Sequence, residues 1–346
     1  MQLRDLLNQY QPITLEEILA QCEILPFDIY HLHPESKSYV LLAKANRSVS
    51  TIAKLAFQFY IRKEDAAAYL EIKTRSVAKY RETFETKMSD RFATMEEKAE
   101  SLYRFADVLI EASLNNPQDL KMIEETRGFV KMVVDLAAVN LTLLDHLKRE
   151  GDVNRYLYRH SINVFILAST FLQLHAMRAG GITPKEVLNA AMGALYIDIA
   201  MPQVPEEIYG KSSPLTDEEM AVIRQHPAAG YAILKTAVDE HQVVMSETSL
   251  AVVLGHHERF DGSGYPKGAK GDTLPLAIRA ISICDVYEAL TSPRPYRPPY
   301  LQFAAAKFMK EEMATKFDPD LLDKFIIMLG PKQMIEYEFE KRRLLK

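Results

Sequence analysis

The sequence of 346 residues has few cysteines and no excess of basic residues. Its two cysteines, Cys22 and Cys284, lie far apart, which excludes a disulfide framework and fits a reducing compartment. The formal net charge of −5 does not indicate a basic surface, so we do not expect nucleic acid as a partner. The composition favours an ordinary globular protein, with 48% apolar residues available for a core.

Long apolar runs are also missing. The longest apolar stretch, at residues 164–174, is interrupted by Ser169, Thr170 and Gln173. It is shorter than the roughly 20 residues that a membrane-spanning helix needs. Residues 1–11 lack the apolar core of a signal peptide. We therefore expect a soluble protein that stays in the cytoplasm and does not associate with a membrane.

Short β-branched and aromatic runs mark the first ninety residues. Residues 26–30 and 39–42 predict two strands joined as a hairpin, and residues 59–61 predict a third strand. A helix from about residue 66 to residue 70 follows the third strand. We predict a small α+β domain over residues 1–92, with a role in regulation or in binding a protein partner.

From Ala93 onward the apolar residues recur with the period of long helices. One predicted helix covers residues 119–148, and at about thirty residues it exceeds the usual helix of a globular protein. Such a helix is typical of one that joins two domains or packs against a second copy of the chain, so a homodimer is among our expectations. We predict a mainly α protein, with a helical connector at residues 93–148 and an all-helical domain at residues 149–346.

Two adjacent histidines stand where a predicted helix meets a glycine-rich loop. Residues 256–268 are HHERFDGSGYPKG, and they follow an apolar run at residues 250–254. The glycines supply unusual backbone angles, and the proline fixes one. Such a loop suits the close approach of the backbone to a metal or a phosphate. The alternative is a surface turn that happens to hold two histidines.

This stretch resembles the HD-GYP family when it is taken together with two later features, Asp285 in the run ISICDVYEALTS and RPYR at residues 294–297. The resemblance extends from about residue 145 to about residue 330. Members of the family are metal-dependent phosphodiesterases of the bacterial second messenger cyclic di-GMP. The resemblance therefore implies an all-helical HD-type bundle and cyclic di-GMP as a ligand.

The resemblance also implies a set of metal ligands from several helices. The implied ligands in this sequence are His160, Asp198, His226, His256, His257 and Asp285. One ion would be held by the last three histidines together with Asp198, and a second by His160, Asp285 and the shared Asp198. Taken singly, His160 also fits a core histidine, His226 a helix cap and Asp285 the partner of an arginine. Imidazole and carboxylate ligands suit iron, manganese or zinc.

The His-Asp pair of the family is altered in this sequence. The family pattern has histidine, aspartate, isoleucine, glycine and lysine in a row, where residues 197–201 are Ile-Asp-Ile-Ala-Met. Ile197 therefore replaces a metal-binding histidine, and Met201 replaces a lysine that is thought to assist catalysis at the phosphate. Asp198 is kept and is the expected catalytic residue. We expect one bound divalent ion and a weakened second site.

Substrate contacts are implied by the glycine-rich loop and by the arginines after Asp285. Arg294 and Arg297 match positions at which the family contacts substrate phosphate. A guanidinium suits that task because it binds two phosphate oxygens at once. Tyr265 is kept in the Gly-Tyr-Pro segment of the loop and is a third expected substrate contact.

The altered motif leaves two functions open. Losing a metal ligand and losing a charged catalytic group each cost orders of magnitude in rate. This favours a degenerate regulator in cyclic di-GMP signalling that binds nucleotide or a protein partner with little turnover. The alternative is an active metal-dependent cyclic di-GMP phosphodiesterase that tolerates the altered motif.

Overall fold

The computed structural model describes residues 9–115, 120–139, 153–241, 244–294 and 297–330, apart from residues 14, 34, 35, 37 and 53–58. The chain divides into two compact units, Met1–Ser89 and Asp90–Lys346. The predicted fold class, a small α+β domain followed by an all-helical bundle, is confirmed. The finer division into a connector at residues 93–148 and a domain at residues 149–346 stays a prediction.

An antiparallel sheet with strand order β1-β4-β2-β3 organises the first unit. Its strands are β1 (Tyr10–Ile13), β2 (Ile29–Leu32), β3 (Tyr39–Ala43) and β4 (Phe59–Arg62). The last three correspond to the three predicted strands, with β2 and β3 paired as the hairpin. Strand β1 was missed because Pro12 interrupts its strand signal. A proline is tolerated there because β1 lies at the edge of the sheet.

The described part of the first unit also contains two α-helices, α1 (Glu16–Gln21) and α2 (Ala66–Ser89). One face of the sheet carries apolar side chains such as Ile29 and Ile61, which form a buried core with Ile18 of α1 and Ile72 of α2. Helix α2 is much longer than the predicted residues 66–70, since many residues that follow Leu70 are strong helix formers.

The described part of the second unit contains helices and no β-strand. Its helices are α3 (Met95–Asn115), α4 (Leu120–Val139), α5 (Val153–Arg178), α6 (Pro184–Leu195), α7 (Glu206–Tyr209), α8 (Asp217–Ile223), α9 (His226–His241), α10 (Glu247–Gly255), α11 (Leu276–Thr291), α12 (Gln302–Glu312) and α13 (Pro319–Leu329). The predicted long helix corresponds to α4, and its remaining residues 140–148 lie outside the described residues. Within the described chain, no helix is both long enough and apolar enough to cross a membrane.

Helices α5 and α6 pack against each other, and several other helices pack on one of these two. Helices α3 and α4 pack on α5, α10 packs on α6, and α11 packs on α5. The approach of α10 to α6 depends on Gly193, because a Cβ atom there would lie 2.7 Å from both the Ser249 carbonyl oxygen and the Val252 Cβ. This close packing brings the end of α10 beside the turn that follows α6.

Candidate metal centre

The six predicted metal ligands come from separate parts of the second unit and converge on one place. Their positions are His160 in α5, Asp198 in the turn after α6, His226 at the start of α9, His256 and His257 just after α10, and Asp285 in α11. The structure brings all six together through contacts between their side chains. Each is buried or nearly so, which suits a cation site shielded from water.

His226, His256 and His257 form the imidazole cluster. One ring nitrogen from each lies within 4.8 Å of the others. The Nε2 atom of His226 is 3.2 Å from Nε2 of His256 and 3.3 Å from Oδ1 of Asp198. Three clustered imidazoles, with the Asp198 carboxylate beside His226, offer nitrogen and oxygen donors that suit a borderline divalent ion.

Backbone carbonyls orient two rings of the imidazole cluster. The Nδ1 atom of His226 lies 2.7 Å from the Ile223 carbonyl oxygen, and Nδ1 of His256 lies 2.9 Å from the Val253 carbonyl oxygen. When each Nδ1–H donates to its carbonyl, the lone pair of each Nε2 faces the other ring. Two facing acceptors have no proton to share, and a cation between them would satisfy both.

Burial keeps the imidazole cluster neutral. It lowers the pKa of His226 to about 4. Burial, together with the neighbouring His257 and His226, lowers the pKa of His256 well below its usual value. Burial also lowers the pKa of His257, although the Asp285 carboxylate opposes the shift. Neutral imidazole is the form that binds metals, so the cluster fits a divalent ion at neutral pH.

His160, Asp285 and Glu288 form the carboxylate cluster, between helices α5 and α11. The Nε2 atom of His160 is 3.1 Å from Oδ1 of Asp285 and 3.7 Å from Oδ2 of Asp198, while its Nδ1 bonds with Oε2 of Glu288. Burial acts to lower the pKa of His160, but the Glu288 charge and the bonds with Asp285 and Glu288 outweigh it and raise the pKa well above its usual value.

Asp198 and Asp285 connect the two clusters. Asp198 faces His226 with one oxygen and His160 with the other. Asp285 faces His160 with Oδ1, and its Oδ2 lies 3.5 Å from Nδ1 of His257. Burial raises the pKa of Asp198, whereas in Asp285 the bonds from His160 and His257 overcome burial and hold the pKa well below its usual range. Each carboxylate therefore contacts a histidine of both clusters.

The turn that carries Asp198 contributes neither a histidine nor a lysine to the centre. Helix α6 ends at Leu195, and the chain turns through hydrogen bonds from the Ile199 amide to the Tyr196 carbonyl and from the Met201 amide to the Asp198 carbonyl. Ile197 is fully buried, and Met201 is buried as well. The turn thus contributes one carboxylate, and the weakening of a second site stays a prediction.

The glycine-rich loop folds back onto His257. Its Tyr265 amide donates to the His257 carbonyl oxygen at 3.2 Å, and the two rings lie 4.8 Å apart. A Cβ atom at Gly264 would lie 2.4 Å from the Arg259 amide nitrogen, so only glycine fits there. The buried Glu258 carboxylate accepts hydrogen bonds from two backbone amides further along the loop. Tyr265 is thereby held at the edge of the centre.

The two predicted phosphate-binding arginines have different surroundings. A guanidinium nitrogen of Arg294 lies 3.9 Å from Oε2 of Glu288, which directs this side chain toward the carboxylate cluster. Arg297 donates instead to the carbonyl oxygens of Ala289 at 2.6 Å and Leu290 at 3.0 Å, near the end of α11. Its guanidinium therefore neutralises a helix C-terminus. The substrate contacts of both residues stay predictions.

Two site residues, Glu288 and Asn163, were missed by the sequence analysis. Asn163 donates to Oε1 of Glu288 at 2.9 Å, and Glu288 bonds with His160. A weak signal was present, since each lies three residues after a predicted ligand on the same helix. Residues three apart share a helix face, but the spacing alone does not say which neighbour contributes to a site.

Comparisons with known proteins identify the family of the helical unit. The family described as HD domain matches residues 131–321. A curated relative from Vibrio cholerae, "Cyclic di-GMP phosphodiesterase", is 31% identical over 217 residues, which cover 62% of this chain and 43% of the relative. Another from Xanthomonas campestris, "Cyclic di-GMP phosphodiesterase response regulator RpfG", is 31% identical over 51% of this chain and 43% of the relative. The chain spans less than half the length of these two relatives.

A solved structure shares the fold. It is described as "Bd1817, a HDG"Y"P protein from Bdellovibrio bacteriovorus". The TM-score is 0.62 at 17% sequence identity, and the match covers 93% of this chain and all of the other. At this identity the likeness supports the fold alone.

Proposed function

Because the chain belongs to the HD domain family, we propose that it acts in bacterial cyclic di-GMP signalling as a regulator that binds nucleotide or a protein partner with little turnover. The observation that carries this proposal is the turn at Asp198. Ile197 and Met201 are both buried and apolar there, so the turn supplies neither a second imidazole nor an ammonium group. Turnover would need both a complete ligand set and a charge to stabilise the reacting phosphate.

We propose one divalent ion, either iron, manganese or zinc, with Asp198, His226, His256 and His257 as its ligands. The facing, neutral imidazoles support this assignment. A bound ion of this kind lowers the pKa of a coordinated water and polarises a phosphoryl oxygen. A second ion beside His160 and Asp285 would bind more weakly because Ile197 provides no ligand. Protein purified without chelator should carry about one ion per chain.

Tyr265, Arg294 and Arg297 are the proposed nucleotide contacts. The Tyr265 ring at the edge of the centre suits a nucleobase, and the Arg294 guanidinium suits a phosphate oxygen. We further propose that residues 1–92 bind a protein partner, and that the protein works in the cytoplasm as a monomer or a homodimer.

The alternative function is active, metal-dependent hydrolysis of cyclic di-GMP. The names of the relatives favour it, since both are phosphodiesterases of this nucleotide. The imidazole cluster favours it too, because its three histidines lie together and Asp198 lies beside His226. One ion would suffice only if another group replaced the missing charge at Met201, and that requirement makes this the second candidate.

One experiment separates the two functions. Full-length protein is supplied with manganese or ferrous iron and assayed for cyclic di-GMP turnover, while calorimetry measures nucleotide binding in parallel. We expect binding together with turnover no more than about threefold above that of an Asp198→Asn control, since the control removes the shared carboxylate. Robust, metal-dependent hydrolysis that Asp198→Asn abolishes would exclude the regulator and establish the enzyme.

A further inference from the structure

The His160 ring is held at the nitrogen that points away from the other predicted ligands. Its Nδ1 bonds with Oε2 of Glu288, which leaves Nε2 facing Asp285 and Asp198. Metal-binding histidines commonly use the second ring nitrogen in this way, and the carboxylate partner fixes the orientation of the ring. The Glu288 side chain is therefore placed to orient His160 without facing the centre itself.

The Glu288 carboxylate is in turn held by two polar side chains. Its Oε1 atom accepts hydrogen bonds from Nδ2 of Asn163, at 2.9 Å, and from the Ser292 hydroxyl. Glu288 is only 3% exposed, so these partners replace the water that it loses. Oε2 of Glu288 thus contacts His160, and Oε1 contacts Asn163.

A tyrosine from helix α3 fixes the orientation of the Asn163 side-chain amide. The Tyr103 hydroxyl donates to Oδ1 of Asn163, and this bond turns Nδ2 toward Glu288. Tyr103 itself is pinned to α5, because the Arg159 guanidinium lies 5.0 Å above its ring and pairs with Asp107 of α3 at 2.8 Å. Helix α3 is therefore joined to the centre by a continuous chain of buried contacts.

We propose that Tyr103, Asn163 and Glu288 are positioning residues, which together hold the His160 ring toward the metal centre and make helix α3 part of its assembly. This inference rests on the proposed metal function, because the orientation of the His160 ring matters to the centre only if its Nε2 binds an ion. It goes beyond that function by assigning the orientation of a ligand to a helix that carries no ligand.

The first test is the position of the His160 ring in crystal structures of metal-free, full-length variants. Glu288→Gln turns one carboxylate oxygen into an NH2 group that only donates, so the contact with either His160 or Asn163 loses its acceptor. We expect the ring to rotate and the distance from its Nε2 to Asp285 to open beyond about 3.5 Å, the limit of a hydrogen bond. Tyr103→Phe removes only the hydroxyl and should free the Asn163 amide, with a smaller ring displacement. If Glu288→Gln does not fold, Tyr103→Phe still tests the inference.

The second test is manganese titration of the same proteins. The weaker binding event, assigned to the His160 site, should weaken about tenfold in Glu288→Gln and about threefold in Tyr103→Phe. The tighter event at the imidazole cluster should stay within about twofold in both. Tyr196→Phe is the matched control. It removes a buried hydroxyl that bonds with Ser113 and Thr126, so it should lower stability without changing either manganese affinity.

The outcomes separate the inference from the proposed function. A His160 ring that stays in place in both variants overturns the inference, and so does a weaker manganese event that neither variant changes. A wild-type chain that binds none of manganese, ferrous iron and zinc refutes the proposed metal function. In that case the displacement of the ring alone still decides whether the three residues position His160.

Discussion

The imidazole and carboxylate clusters hold their histidines by different means. His226 and His256 are each oriented by a carbonyl three residues earlier in the chain, so the geometry of one helix end is sufficient. His160 is oriented by Glu288, which is 128 residues away in the sequence and on another helix. The first arrangement forms locally, whereas the second exists only after α5 and α11 have packed together.

The electrostatics of the two clusters differ in the same way. Burial lowers the pKa of every histidine in the imidazole cluster, which leaves neutral nitrogen ligands ready for a cation. In the carboxylate cluster, the charges and bonds of Glu288 and Asp285 outweigh burial and raise the pKa of His160. The imidazole cluster thus carries no positive charge of its own. In the carboxylate cluster, the charge of His160 is balanced by Asp285 and Glu288. We therefore expect the two sides to respond differently to substitution.

Replacing Ile197 and Met201 by the residues of the HD-GYP pattern should have the largest effect and should make the two sides more alike. In the double variant Ile197→His with Met201→Lys, we expect the His160 side to gain a ligand and the centre to gain a cation. We expect a second bound metal ion and turnover of cyclic di-GMP raised by about 100-fold or more. Metal analysis and the turnover assay measure both effects. Ile199→His is the control, since it adds an imidazole to the same turn at a position with no assigned ligand; an equal gain there would contradict the prediction.

Removing one histidine from each side should separate their metals. His256→Ala should weaken the tighter manganese event by about 100-fold, because the site loses one of four ligands. His160→Ala should remove the weaker event and leave the tighter one within about threefold. Manganese titration of each full-length variant gives both constants. His33→Ala, in the first unit, controls for non-specific binding by histidine. Equal losses in His256→Ala and His160→Ala would show that the two sides act as one site.

The backbone support of the imidazole cluster can be tested at Gly264. Gly264→Ala forces a Cβ atom to within 2.5 Å of the His257 carbonyl oxygen, so the loop must move. We expect the free energy of unfolding to fall by about 3 kcal/mol, measured by denaturant titration. Gly128→Ala is the control, because a Cβ atom there would meet nothing within 4 Å and alanine favours helix α4. A loss at Gly264 no larger than that of the control would mean that the loop does not depend on this contact.

The smallest predicted effect compares the two arginines that follow α11. Arg297→Ala should lower the free energy of unfolding by about 1 kcal/mol, since it removes hydrogen bonds to the end of the helix. Arg294→Ala should weaken cyclic di-GMP binding more than Arg297→Ala does, because its guanidinium is directed toward the centre. Denaturant titration and calorimetry distinguish the two. If Arg297→Ala gave the greater loss of nucleotide affinity, Arg297 would be the main phosphate contact.

The amino-acid sequence by itself determined the fold class and pointed to the six residues whose side chains converge. Residues 256–268 could be interpreted because the turn depends on local glycines, which have a recognisable pattern. The apolar periodicity after Ala93 likewise predicted helices because a helix face repeats within a few residues. Strand β1 was missed where Pro12 hid the local pattern at a sheet edge.

Only the tertiary structure decided which polar side chains contact the predicted ligands. Nothing near Glu288 in the sequence indicates that it bonds with His160, and nothing near Tyr103 indicates that it sets Asn163. The structure also directs Arg297 to the end of α11 and Arg294 toward Glu288, although both stand in one short motif. The physical reason is that a buried polar atom must find a partner wherever packing places one, and packing joins helices that are far apart in the chain.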